Sequence, residues 1–253
     1  MSETNNNSPQ RDEEKLVEQG IVFVDPKMKK LDNFFYYHKW KILAAILVVA
    51  VLTVCILQSC ETVGYDSYVI YSGPNMVTAA DAKAYISAFN EILPYDLNGD
   101  GEKNVQLIAT NILSAPQIES YEAVTDENGD KIYTIDREFN HSELERFDSL
   151  ILTGEYSVCL LDPYLYDRVR SSGGFRRLDE VFDSVPNSAI DEYGIRFADT
   201  EFAGSHSVFS NLPEDTVLCL RTKGTLISIG GSANDSYALS EELFKAIVEY
   251  IPQ

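Results

Sequence analysis

The sequence predicts an α/β protein: an N-terminal single transmembrane helix followed by one mixed-sheet α/β domain. Three observations lead there. Ile42 to Leu57 reads ILAAILVVAVLTVCIL without a charge. The 193 residues from Glu61 to Gln253 are enough for one sizeable core. Within them, short β-branched or aromatic runs alternate with helix-period patterns, as in a sheet covered by helices.

The apolar stretch is expected to cross a membrane. Sixteen helical residues span about 24 Å, and counting from Trp40 to Cys60 gives about 30 Å, the thickness of a hydrocarbon core. Phe34, Phe35, Tyr36, Tyr37 and Trp40 crowd one end, where aromatic rings favour the headgroup layer. With no polar face the segment does not read as a core helix, and the tail before it is long for a cleaved signal. Leu57-Gln58-Ser59-Cys60 resembles a lipobox, although Gln58 and the long tail depart from that pattern. Lys27, Lys29, Lys30, Lys39 and Lys41 precede the segment, and the next basic residue is Lys83. That asymmetry places residues 1–39 in the cytoplasm, 40–60 in the membrane and 61–253 outside.

The formal charge of −20 belongs entirely to the outer part, because residues 1 to 41 carry seven basic and seven acidic side chains. Such a surface repels phosphate backbones, which argues against nucleic acid as a partner. It favours solubility and attracts cations. Cys159 and Cys219 sit in apolar runs and read as buried free thiols, with a disulfide open to them if their strands are neighbours.

Taken in order, residues 1 to about 14 are polar and expected to be disordered. Leu16 to Lys41 reads as a short helix or interfacial segment. YVIYS (Tyr68 to Ser72) reads as a buried strand, and a helix follows over Val77 to Leu93, capped by Thr78 and Asp81. VQLIA (Val105 to Ala109) completes a parallel βαβ unit. Ile118 to Ile135 reads as a hairpin about Asn128-Gly129. Ser142 and Glu145 suggest a capping box for a helix ending near Gly154. Tyr156 to Leu161 reads as a strand and Asp162-Pro163 as the start of a helix closed by Gly173-Gly174. Arg176 to Pro213 gives no clear pattern. Thr216 to Thr222 and Thr225 to Ile229 read as strands, and Ser240 to Tyr250 as a final helix.

One stretch carries a motif with a physical mechanism. Asp96, Asn98, Asp100, Glu102 and Asn104 alternate as in the calcium loops of EF-hands and dockerins, with Gly101 at the sharp turn. The residues are therefore candidate calcium ligands, Glu102 through its carbonyl. The twelfth position is Leu107 instead of a bidentate acid, and the competing reading is a polar turn. There is no GxSxG elbow, Walker loop or GxGxxG fingerprint. Asp162 with Asp167 reads as capping and surface charge, and Ser205-His206-Ser207 lacks an acid partner in sequence. The domain is accordingly expected to be non-catalytic.

The run TGEYSVCLLDPYLYDRVRSSGGFRRLDEVF (Thr153 to Phe182) resembles part of bacterial extracytoplasmic solute-binding proteins with the type 2 periplasmic-binding fold. Gly154-Glu155, the strand Val158 to Leu161, the helix Tyr164 to Arg170, Gly173-Gly174 and Leu178-Asp179 occupy the family's places. The first strand and helix and the closing SEELFKAIVEYI helix are also similar. The aspartate often found near the strand's start is Ser157 here. The resemblance implies a single lobe, since the chain is too short for two. It also implies a membrane-anchored module that binds a small-molecule solute; the alternative expectation is a structural protein that docks onto an envelope partner.

Overall fold

The computed structural model describes residues 26–60, 64–223 and 231–252. The chain divides into two units, Met1–Val63 and Gly64–Gln253. The first contains helix α1, Pro26–Cys60. Its apolar window, Tyr36–Val54, is 19 residues long with mean hydropathy 1.6, and none of it is buried within the chain. It is long and apolar enough to cross a membrane. The helix begins at Pro26, well before the expected Trp40. No Gly or Pro interrupts residues 27–60, so nothing in the backbone stops the helix short of the lysine-rich turns.

The second unit is built on a five-stranded mixed sheet of order β2-β1-β3-β5-β4. The strands are β1 Ser67–Gly73, β2 Val105–Asn111, β3 Val158–Leu161, β4 Gly194–Arg196 and β5 Val217–Leu220. β1 pairs parallel with both β2 and β3, Ile70 lying opposite Ile108 and Cys159. β5 runs antiparallel to β3 and β4. Among the described residues of this unit, five helices lie between the strands, α2 Ala79–Ile92, α3 Ala115–Glu122, α4 Arg137–Thr153, α5 Pro163–Ser171 and α6 Glu201–Ser205, and a sixth, α7 Gly231–Val248, follows β5.

Alternation along the strands divides the core. Val69 and Tyr71 of β1 and Leu218 and Leu220 of β5 face one cluster, with Phe89 of α2, Phe202 of α6 and Phe244 of α7. Ile70, Cys159 and Cys219 face the other, with Phe147 of α4 and Leu165 of α5. Both sheet faces are covered, which is why β1 and β3 read as continuous apolar runs. Cys159 and Cys219 lie directly opposite one another as buried free thiols, and burial pushes the Cys219 thiol well above its usual range.

Local signals set several boundaries. Thr78 accepts from the Asp81 N–H at 3.2 Å while its own N–H donates to the Asp81 carboxylate at 3.1 Å. Gly154 closes α4 with φ 74°, a conformation that suits glycine. Asp162 caps α5 by accepting from the Tyr164 N–H at 2.9 Å.

Three expectations need correction. YEAVT is not a hairpin strand: Ala115–Glu122 is helical, entered by Pro116 and a Ser114 N–H bonded to Gln117 at 2.8 Å. Only the turn survives, with a single bridge between Thr125 and Lys131. α4 starts at Arg137 with Asp136 as its cap, accepting from Glu138 and Phe139, so Ser142 lies inside the helix and donates to Phe139 O at 2.8 Å. Asp136 stands one turn earlier and leaves no orphan N–H for Ser142 to cap. α7 begins at Gly231, well before Ser240. The segment without a clear pattern holds the short β4, α6 and three 3-10 turns. Residues 1–14, the Cys60 side chain and the expected strand Thr225 to Ile229 lie outside the described residues.

Phe89 is fully buried and stacks on Phe202 at 5.7 Å between ring centroids. Phe89→Ala should cost about 3–5 kcal/mol in chemical denaturation. Phe139→Ala, at an exposed position, should stay within about 0.5 kcal/mol.

Candidate functional site

The calcium-loop residues fall between α2 and β2, and the structure shows how their side chains shape that loop. The two Asp96 carboxylate oxygens accept the Gly99 N–H at 2.6 Å and the Gly101 N–H at 2.7 Å. Asn98 accepts from the Asp100 N–H at 2.8 Å, and Asp100 from the Glu102 N–H at 2.9 Å. Gly99 and Gly101 adopt positive φ, as these successive Asx turns require. The Asn104 N–H donates to Asp66 at 2.8 Å. Among the described residues, no group of three or more His, Cys, Asp or Glu is arranged to hold a metal ion.

Sequence reasoning missed Asp66. It is fully buried just before β1 and also accepts from the N–H groups of Leu97 and Asn98, at 2.9 and 3.1 Å. One carboxylate thus ties both ends of the loop to the sheet. Nothing local distinguishes it from an ordinary strand flank. Asp66→Ala should destabilise the domain by about 3 kcal/mol or more in urea unfolding, because three N–H donors lose their acceptor. Asp96→Ala, on the exposed side of the loop, should cost about 1 kcal/mol.

The stronger candidate site lies at the carboxyl ends of the parallel strands. The chain leaves β1 for β2 on one side, and leaves β2 for β3 on the other, so β1 and β3 flank a topological switch point. In open α/β sheets ligands bind at such crevices. Helices α2, α3 and α5 follow β1, β2 and β3 and begin at this edge. Ser72 and Thr110 share a hydroxyl hydrogen bond of 2.6 Å there. Asp162, 4% exposed, accepts from Gln117 at 2.9 Å.

Two hydroxyls at this edge are buried without a hydrogen-bond partner among the described residues, Tyr71 Oη and Thr216 Oγ1. Burial pushes the Tyr71 phenol well above its usual range. The Asn75 backbone N–H opposes the rise without completing a hydrogen bond, and the charges of Asp162 and Asp215 add to it. Tyr71 is therefore a neutral hydroxyl at physiological pH. Asp215 also lines an adjacent cleft of about 520 Å³ with Arg196, Ala198, Asp199 and Glu214. Three carboxylates against one guanidinium give this cleft a negative lining, which attracts cations and repels anions.

Other sequence candidates separate. Asp162 is a helix cap, while Asp167 is exposed beside Arg170 at 3.6 Å. His206 meets an acid that sequence proximity could not reveal, Glu91 at 3.7 Å, and its Nδ1 is engaged with Phe202 O at 2.8 Å. No family model, curated protein or solved structure matches this chain significantly.

Proposed function

We propose that this protein is a single-pass, membrane-anchored binding module that presents a non-catalytic, single-lobed solute-binding-like domain outside the cell. The observations that support the solute reading are the pair of unpartnered buried hydroxyls, Tyr71 and Thr216, and the acidic cleft formed by Arg196, Asp199, Glu214 and Asp215 toward the β4–β5 side of the same sheet edge. Buried polar groups in native proteins are almost always satisfied, and a bound polar solute supplies what these two lack. The cleft favours a small solute with several hydroxyl groups or a positive charge, such as a sugar or an amino-acid amine. Anchoring is supported by the exposed apolar window Tyr36–Val54, whose side chains need a non-aqueous surround. The lysines before it support a cytoplasmic N-terminus. A calcium ion at Asp96, Asn98, Asp100, Glu102 and Asn104 belongs to the same reading as a weak structural site, since the side-chain oxygens retain lone pairs beyond their N–H bonds.

A second reading, docking onto an envelope protein, is favoured by one feature. Tyr121, Val124, Ile132, Tyr133 and Phe139 are all more than 40% exposed around the turn between α3 and α4. Grouped exposed apolar side chains of this kind mark interaction surfaces.

Thermal melts of the full chain in detergent micelles decide between them. A sugar or amino acid at about a hundred times its dissociation constant should raise the melting temperature by about 5–11 °C. Tyr71→Phe should leave the ligand-free melt within about 2 °C, because it removes only an unpartnered hydroxyl, and should shrink that shift. The absence of a shift with any solute class favours docking. Topology is checked separately: protease added to intact cells should digest the domain after Cys60 and spare an epitope placed at the N-terminus.

A further inference from the structure

The charge of the first unit reverses at one point along the chain. Residues 1–25 carry six acidic and two basic side chains, whereas residues 26–41 carry five lysines, Lys27, Lys29, Lys30, Lys39 and Lys41, against one acid, Asp32. The reversal falls where α1 begins, at Pro26. Every one of these lysines therefore belongs to the same continuous helix as the apolar window Tyr36–Val54, and stands toward its N-terminal end. The last turn of that helix holds no basic residue.

Helix geometry sets the depth of each charge. Lys39 and Lys41 fall in the first turns of the window and are exposed, as are Tyr36, Tyr37 and Trp40 beside them. Lys39 Nζ lies 5.2 Å from the centre of the Tyr36 ring, one turn back, so the ammonium is drawn toward the N-terminus and away from the apolar run. Lys27, Lys29 and Lys30 precede Tyr36 by a helical rise of about 9–14 Å. A headgroup layer is about 5–8 Å deep beyond the hydrocarbon core, and charges at physiological salt act over about 8 Å. All five lysines thus lie within that layer or within screening distance of it. They do not form a stripe: at about 100° per residue, Lys27, Lys30 and Lys41 share one face, while Lys29 and Lys39 fall on others. A partner helix needs one face, whereas a positive collar suits lipid on all sides.

We propose that this lysine collar binds anionic phospholipid headgroups and enriches them around the N-terminal end of α1. The inference rests on the reading of α1 as a membrane span. Each lysine near a bilayer surface attracts anionic lipid strongly enough for about a fivefold preference over neutral lipid. Residues 61–253 hold the whole net charge of −20, so the two ends of the span have opposed lipid preferences.

Trp40 is the single tryptophan of the chain and stands between Lys39 and Lys41, so its fluorescence reports the lipids at this position. The full chain is reconstituted into phosphatidylcholine vesicles that contain either brominated phosphatidylglycerol or brominated phosphatidylcholine at the same mole fraction, since bromine quenches tryptophan on contact. The anionic lipid should quench Trp40 as strongly as an about fivefold higher fraction of the neutral one. Lys39→Gln with Lys41→Gln, and Lys27→Gln with Lys29→Gln and Lys30→Gln, should each lower that preference. All five together should bring it to one and leave quenching by the neutral lipid unchanged. Absence of quenching by either lipid overturns the membrane span and the proposal with it. Equal quenching by both overturns the proposal alone, as does a preference that survives the loss of all five lysines.

Discussion

The parallel pairing of β1 with both β2 and β3 is the constraint on which the domain depends. Held between two neighbours and covered on both faces, β1 is buried along its length except at the partly exposed Tyr68, and apart from the Tyr71 hydroxyl its side chains are apolar or hydrogen-bonded. Each polar group at its ends is taken up accordingly. Ser67 reaches the Ser240 hydroxyl at 3.1 Å, Ser72 reaches Thr110, and the Ser72 carbonyl accepts the Asp162 N–H at 2.8 Å. The same pairing sets the direction of three helices, because a chain leaving a parallel strand must cross back over the sheet before it can pair again. Their first turns are thereby gathered at one edge.

The two edges of the sheet differ in charge, and β5 is the reason. It runs antiparallel to β3, so its entry brings Asp215 and Thr216 to the carboxyl edge of β3, while its exit carries Arg221 to the amino edge beside Ser157. An acidic cleft therefore lies at one end of the domain, and at the other an arginine whose Nε and Nη1 meet no acceptor among the described residues. In a domain that carries the whole net charge of −20, no carboxylate among the described residues pairs with this buried arginine.

The edge strand β4 shows how tightly the antiparallel half is built. A Cβ at Gly194 would lie 2.6 Å from Val217 Cγ1 and 2.8 Å from Tyr166 Oη, so this position accepts only glycine without rearrangement. Asp191 anchors the turn before it, accepting from Tyr166 Oη at 2.6 Å and from the Gly194 N–H at 3.0 Å. Phe89, Phe197, Phe202 and Phe209 then pack against one another beneath it. A segment with little regular secondary structure is thus held by aromatic packing and a few carboxylate caps.

Local order was legible wherever the sequence itself supplies the force. The uncharged run from Ile42 to Leu57, the Thr78–Asp81 cap, the Asp162-Pro163 start and the Gly154 stop act within a few residues, and the structure has them where the sequence puts them. The Ala115–Glu122 helix was misread because Asn128-Gly129 makes a turn whether or not strands flank it. β4 was missed because three residues carry no period. The partners of Asp66, Tyr71, Thr216 and Arg221 lie tens of residues away or, for the last three, are absent among the described residues. Whether a buried polar group is satisfied is decided by what the completed fold brings against it. Composition, topology signals and most helices follow from the sequence alone; the strand order, the acidic cleft beside β4 and β5 and the burial of Arg221 exist only once distant segments have packed.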